Sequence, residues 1–198
     1  MDIMIIVYAV LAYFIGSIPS GLIIGKTFFN TDVRQYGSKN IGATNTYRVI
    51  GLKAALPVFL CDALKGAAGV VLLSSYGPMY MILGGILAMM GHNWSIFLGF
   101  KGGRGVATGL GVLNALSPLV ALLCFLVWGI IVYFTKLVSL GSIVAAALVP
   151  VLMYVTGESY WFVGFGGLAA LFVIVRHWDN IKRLLAGNEL KVERIKKD

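Results

Sequence analysis

Three polar, glycine-rich stretches interrupt an otherwise apolar chain, and they hold most of the side chains able to do chemistry. The first reads Gly37-Ser38-Lys39-Asn40-Ile41-Gly42-Ala43-Thr44-Asn45-Thr46-Tyr47-Arg48. The second runs from Gly91-His92-Asn93-Trp94 to Phe100-Lys101-Gly102-Gly103-Arg104-Gly105-Val106-Ala107-Thr108. The third is His177-Trp178-Asp179-Asn180-Ile181-Lys182-Arg183-Leu184, followed by Gly187 and Glu189. In the second stretch, Lys-Gly-Gly-Arg-Gly leads directly into a helical pattern. Glycines let backbone N–H groups converge, and a helix N-terminus adds a partial positive charge. With Lys101 and Arg104 as full charges, the combination suits a phosphate. It is not a P-loop, because the Gly-x-x-x-x-Gly-Lys-Ser/Thr spacing is absent and no strand precedes it. In the first stretch Ser38, Asn40, Thr44 and Asn45 are short hydrogen-bonding side chains, and Arg48 is a bidentate fork for phosphate or carboxylate. On spacing alone, a tight basic turn and an ordinary polar loop account for both stretches equally well.

The remaining candidates are few. His92 and His177 are the only histidines. Either reads as a hydrogen-bonded structural residue or as a catalytic one. Asn180 lies one turn beyond His177, on the same helix face. Two histidines with no cysteine or carboxylate cluster make no zinc site, so neither metal nor cofactor is expected. Cys61 and Cys124 lie inside apolar runs and read as small buried hydrophobes. Asp62 and Lys65 stand inside another apolar run. Ionisable groups are costly there, and their i, i+3 spacing allows a mutual ion pair with a structural role.

The elements that must carry these residues are membrane helices. The 198-residue chain is 59% hydrophobic and 12% charged, with a mean hydropathy of +0.90. A soluble domain is about 25% charged. Apolar runs are expected at Ile3–Gly25, Ala54–Ser75, Met79–Met90 continuing toward Phe100, Leu137–Thr156 and Tyr160–Val175. The first lacks a basic start and a small-x-small cleavage site and reads as a retained span. The net charge of +8 could suggest nucleic acid, but its distribution follows membrane topology instead. Basic residues crowd Lys26–Lys53, Lys101–Arg104 and the tail from Arg176. These three segments fall on one side only if Val106–Thr135 breaks near Ser117–Pro118. The opposite side then shows only Asp2 and Glu158. The expectation is therefore an all-α integral membrane protein: a seven-transmembrane-helix bundle with its N-terminus outside, its C-terminus cytoplasmic and two short central helices. Residues 1–198 are expected to form a single membrane-embedded domain, with no nucleic-acid partner.

Taken in order, the blocks Gly-Ser-Lys-Asn-Ile-Gly-Ala-Thr-Asn…Arg, Gly-His…Phe-Lys-Gly-Gly-Arg-Gly-Val-Ala-Thr and His…Asn-Ile-Lys-Arg-Leu…Gly-x-Glu resemble those of the bacterial acyl-phosphate:glycerol-3-phosphate acyltransferases. The resemblance covers essentially the whole chain. It implies transfer of an acyl group from acyl phosphate to the 1-hydroxyl of sn-glycerol 3-phosphate, giving lysophosphatidic acid and inorganic phosphate in phospholipid synthesis. It implies Ser38, Arg48, His177 and Asn180 as catalytic residues. It places Asn40, Gly42, Thr44, Asn45 and His92 at substrate, together with the glycerol-phosphate loop Lys101, Gly102, Gly103, Arg104 and Gly105, and with Thr108 and Ser142. Ser139 is a weaker candidate beside Ser142 for the donor phosphate. Glu189 is implied as a structural anchor. The family often has lysine where this chain has Arg104, which keeps the charge but changes the headgroup geometry. Neither histidine is followed five positions later by aspartate, so the His-x4-Asp motif of acyltransferases using acyl-CoA or acyl-carrier protein is missing. The implied partners are acyl phosphate, glycerol 3-phosphate and membrane lipids. The implied setting is a monomer crossing the bacterial cytoplasmic (inner) membrane several times, with its active site facing the cytoplasm. A small transporter for a phosphorylated metabolite is the competing reading, weakened because the polar stretches gather on one side.

Overall fold

A computed structural model describes residues 2–194. Among them are α1 (Ile3–Ser17), α2 (Ser20–Phe29), α3 (Ala43–Val49), α4 (Leu52–Leu72), α5 (Pro78–Asn93), α6 (Val106–Leu116), α7 (Pro118–Thr135), α8 (Val138–Val155), α9 (Tyr160–Arg176) and α10 (Trp178–Leu185), with no strand. Four helices are long and apolar enough to cross a membrane, and two bent pairs raise the number to six. The described residues divide into two compact units, residues 2–112 with 192–194 and residues 113–191.

In the first unit α1, α4 and α5 pack on one another, and α2 and α3 lie against α4. Lipid offers no hydrophobic drive between helices, so close backbone contact through small residues has to supply the attraction. A Cβ on Gly16 of α1 would stand 2.2 Å from the Ala88 carbonyl oxygen of α5. A Cβ on Gly84 of α5 would stand 1.9 Å from the Gly69 carbonyl oxygen of α4. The polarity of this unit is inverted relative to a soluble globule. Ser17, Asn45, Arg48, Asp62, Lys65, His92, Asn93 and Thr108 are buried, while Leu64, Val71 and Met79 are exposed. Cys61, expected inside, is exposed on α4. It precedes the buried Asp62 by one residue, and a helix turning 100° per residue carries it off that face.

The single span expected from Ile3 to Gly25 is two helices bent by 45°. Pro19 has no N–H and drives Ile18 out of the α region, where its ψ is 118°. The Ile18 carbonyl loses its ordinary helix partner and accepts from the Ser20 amide at 3.0 Å and the Lys65 ammonium at 2.9 Å.

In the second unit α7 packs on α8, α8 on α9, and α10 against both α8 and α9. The expected break near Ser117–Pro118 is present, with Ser117 between α6 and α7 and Pro118 at the start of α7. The Ser117 hydroxyl donates to the Glu158 carboxylate. Only one of the two central helices is short. The 11 residues of α6 reach about 16 Å, whereas the 18 of α7 reach about 27 Å, close to the hydrocarbon thickness of roughly 30 Å. The α9–α10 pair bends by 61°. Asp179 lies in the first turn of α10, with Lys182 and Arg183 in its last turn, matching the helix dipole. Trp178 and Leu185 are exposed, and the Lys182 ammonium stands 5.8 Å from the Trp178 ring centre. That pattern suits a helix lying along the interface.

The α1–α5 contact admits no side chain at Gly16. Gly16→Leu should destabilise the protein by about 1–3 kcal/mol through overpacking, measured as a lower thermal midpoint in detergent. Gly164, within α9 and with nothing within 4 Å of a built Cβ, is the control: Gly164→Ala should not lower the midpoint.

Candidate active site

The first polar stretch is not the plain loop its composition suggests, because its second half is α3. Asp32 opens the segment by capping the turn Val33–Gln35, accepting from the Arg34 amide at 3.0 Å. It also binds the Arg34 guanidinium at 2.7 Å and the Lys26 ammonium at 3.3 Å. The Arg34 hydrogen bond holds its carboxyl well below the usual range. Its stabilising contribution is therefore present above the ordinary carboxylate pKa of about 3.9 and is lost only as pH falls through the lower folded value.

Ser38 is half-buried, between Gly37 at φ 59° and Lys39 at φ 57°. Left-handed backbone costs a lysine about 1–2 kcal/mol, and Asn45 supplies what holds it. Its side-chain oxygen accepts from the Ser38 amide at 2.9 Å. Its amide nitrogen donates to the carbonyls of Val33 and Asn40, both at 2.8 Å, and of Tyr36 at 3.2 Å. The Asn40 side chain accepts from the Gly42 amide at 2.8 Å, and Thr46 donates to the Gly42 carbonyl at 3.2 Å. Arg48 projects from the last turn of α3 and is buried, while Thr44 in the first turn is half-buried. The stretch thus brings Ser38, Thr44 and Arg48 onto one frame nailed by Asn45.

The second stretch folds back on α5. The amides of Gly102 and Gly103, expected to converge toward a phosphate, turn inward instead. They donate to the carbonyls of Asn93 at 3.1 Å and His92 at 3.0 Å. The glycines are there for closeness: a Cβ on Gly103 would stand 2.0 Å from His92 Nε2. Gly105, at φ 79°, lies against the Asn93 amide and turns the chain into α6. Lys101 is exposed and Arg104 half-buried. Thr108, one turn into α6, is buried. Below the loop, Lys65 and Asp62 form the expected ion pair at 2.8 Å, both buried, and His92 Nδ1 lies 3.8 Å from the same carboxylate oxygen.

The third stretch lies in the second unit. His177 is buried at the α9–α10 bend, and its Nδ1 stands 2.8 Å from the Val173 carbonyl. A carbonyl can only accept, so Nδ1 carries the proton, and in the neutral ring the lone pair is on Nε2. The Glu189 carboxylate, 3% exposed, gathers three donors: the Asn180 amide at 2.6 Å, Ser139 at 2.9 Å and Arg183 at 2.8 Å. Glu189 thereby ties the segment after α10 to α8 and orients Asn180. Ser142 donates to the Val138 carbonyl of its own helix at 2.8 Å.

Three participants were not singled out from sequence. Asn93 is fully buried, with its amide on the Met89 carbonyl at 2.9 Å. Arg183 read as one more inside charge, and α3 was hidden by its Thr-Asn-Thr composition. An acid following a basic helix end at short range was the one signal that could have paired Arg183 with Glu189.

Helices long and apolar enough to cross a membrane, with polar and charged side chains buried among them, mark an integral membrane protein. The family model for glycerol-3-phosphate acyltransferase matches residues 6–187. A glycerol-3-phosphate acyltransferase of Fusobacterium nucleatum is 46% identical over 93% of this chain and 96% of its own length. Glycerol-3-phosphate acyltransferase 2 of Moorella thermoacetica is 48% identical over 92% and 95%. Among solved structures, PlsY, an integral membrane glycerol 3-phosphate acyltransferase in its glycerol 3-phosphate form, superposes with a TM-score of 0.89 at 38% identity, covering 94% of both chains. Its lysophosphatidic acid form gives 0.87 at 37%. The chain belongs to the glycerol-3-phosphate acyltransferase family, of the PlsY type.

Glu189 is the common acceptor of its cluster. Glu189→Ala leaves Asn180 and Ser139 without it and should cost about 1–3 kcal/mol. That is roughly 2–4 °C of thermal midpoint per kcal/mol, read in a detergent melt. Asn188→Ala, at an exposed neighbour, should not move it.

Proposed function

We propose that this protein transfers an acyl group from acyl phosphate to the 1-hydroxyl of sn-glycerol 3-phosphate, releasing lysophosphatidic acid and inorganic phosphate. In this reading it acts as a monomer in the bacterial cytoplasmic membrane. It crosses seven times, counting each bent pair and α6 as one span, with the N-terminus outside and the three polar stretches at the cytoplasmic face. Relatives named for this acyl transfer, and a neighbour solved with glycerol 3-phosphate and with lysophosphatidic acid, support the acceptor and product. The missing His-x4-Asp motif supports acyl phosphate as donor.

The observation that carries the chemistry is the fixed tautomer of His177, with Nδ1 on the Val173 carbonyl. The acceptor hydroxyl oxygen attacks the donor carbonyl carbon, the C–O bond to phosphate breaks, and inorganic phosphate leaves. The hydroxyl proton passes either to His177 Nε2 or to a substrate phosphate oxygen. An acyl phosphate is already an activated mixed anhydride, so positioning does most of the work and can supply up to roughly 7–11 kcal/mol. Lys101, Arg104 and the start of α6 hold the acceptor phosphate, the inward glycine amides keeping that turn rigid. Ser38, Thr44 and Arg48 bind substrate phosphate from α3 and the turn before it, and Asn45 and Asn40 hold that turn. Ser38 serves in this reading as a hydrogen-bond donor to phosphate rather than as a nucleophile. Asn180 offers its remaining hydrogen-bonding capacity to the reacting groups. Ser142 lies near the donor phosphate.

Purified protein in detergent or lipid mesophase should release phosphate from acyl phosphate only when glycerol 3-phosphate is added, without CoA or metal. Phosphate release that ignores the acceptor, or a requirement for acyl-CoA, would sink the reading. Within the same assay, His177→Ala should lower kcat by about 10² or more if the histidine is the base. Survival within tenfold assigns the proton to the substrate phosphate. Sidedness is checked separately: in sealed right-side-out cells, an impermeant amine reagent should leave Lys101 unlabelled.

A further inference from the structure

We propose that Asp62 is a positioning residue for the Lys101–Gly105 loop, acting through His92. As a statement about substrate it rests on that loop holding glycerol 3-phosphate; as a statement about structure it stands alone. Asp62 sits within α4 at 2% exposure, with Lys65 at 5% and His92 at 4%. Stripping a carboxylate of water costs several kcal/mol unless a partner repays it. Lys65, one turn away at 2.8 Å, already does so. If neutrality were the whole purpose, the pair could face any direction. It faces His92, whose Nδ1 lies 3.8 Å from the oxygen that binds Lys65, an electrostatic contact rather than a hydrogen bond. A carboxylate on that side favours the tautomer with its proton on Nδ1 and disfavours the flipped ring, which would present carbon.

The other edge of the imidazole defines where the loop can lie. A Cβ on Gly103 would meet His92 Nε2 at 2.0 Å, Cε1 at 2.8 Å and Cδ2 at 2.9 Å. The ring therefore fills the place a side chain at 103 would occupy, and the loop backbone rests directly on it. The loop is then strapped down by the Gly103 amide on the His92 carbonyl at 3.0 Å and the Gly102 amide on the Asn93 carbonyl at 3.1 Å. On the far side, Lys65 also donates to the Ile18 carbonyl at 2.9 Å, which fixes the pair against the α1–α2 bend. The contacts run in one line: Ile18 carbonyl, Lys65, Asp62, His92, Gly103. Arg104 follows directly, so the pose of the ring sets where that cation points.

Asp62→Asn alone strands a buried ammonium and risks misfolding, so the decisive variant is Asp62→Asn with Lys65→Met, which leaves no unpaired charge. In the full-length protein without substrate, amide exchange of the segment containing Gly102 and Gly103 should quicken about tenfold or more. KM for glycerol 3-phosphate should rise about tenfold while KM for acyl phosphate stays within about twofold. His92→Ala should reproduce both changes, and adding the Asp62/Lys65 changes to it should contribute less than about twofold more. Wild-type exchange and KM in the Asp62/Lys65 variant, or fully additive effects with His92→Ala, would overturn the proposal. If the unmodified protein shows no acyl transfer at all, the functional reading fails and the exchange arm still decides the positioning role.

Discussion

Most of the charged and amide side chains that these apolar helices carry inward find a partner within the protein, because hydrocarbon offers none. That constraint explains more of the structure than any packing preference. It puts Lys65 one turn from Asp62 and sends the same ammonium to the Ile18 carbonyl freed by Pro19. It closes the Ser117 break with Glu158, and it gathers Asn180, Ser139 and Arg183 on Glu189. In each case a feature that weakens a helix or burdens it with charge is met by a residue distant in sequence or a turn away. The cost of leaving either side unmatched, about 1–3 kcal/mol for a neutral group and more for a charge, makes these contacts specific rather than merely favourable.

How much of this was legible in the sequence depended on whether the signal was local. The membrane class, the three polar stretches and the Asp62–Lys65 pair all follow from composition or i, i+3 spacing, and the structure has them. The break at Ser117–Pro118 was read because positive charge had to fall on one side. The same proline logic applied at Pro19, but no charge argument called on it there, so α1 and α2 were read as one span. The short α3 escaped because Ala43–Val49 has neither an apolar stripe nor the length that makes a helix stable alone. It exists because α2 and α4 receive it. Cys61 shows the same limit in reverse: an apolar run says that a residue is in the membrane, not whether it faces protein or lipid.

The glycine-rich loop is the most instructive case. Lys-Gly-Gly-Arg-Gly suggested amides splayed toward an anion, and that picture treats glycine as a source of freedom. Here two of those amides are spent on the last turn of α5, and Gly103 is small because His92 occupies its side-chain space. Contacts with groups far along the chain decide this, and no motif encodes them. A loop whose own amides are satisfied is stiffer than one that waits for a ligand to satisfy them. In the proposed function its hold on a substrate phosphate rests on the two side-chain cations and the start of α6, whose dipole acts only within about one turn.

That stiffness fits the energetics of the proposed reaction. Bringing two phosphate-bearing reactants together carries a repulsion that mobile cations would meet only after paying to become ordered. Each rotamer-rich side chain fixed on binding costs about 0.5–1.5 kcal/mol, and a mobile backbone adds to it. An activated anhydride needs little covalent help, so the barrier is governed largely by how well hydroxyl and carbonyl are aligned. Preordering is then worth more than an extra nucleophile. The same economy runs through the other two stretches. Asn45 spends its whole amide on the turn that carries Ser38, and Val173 fixes the His177 ring before any substrate arrives. The buried polar residues of this chain are mostly employed in holding a smaller number of others still.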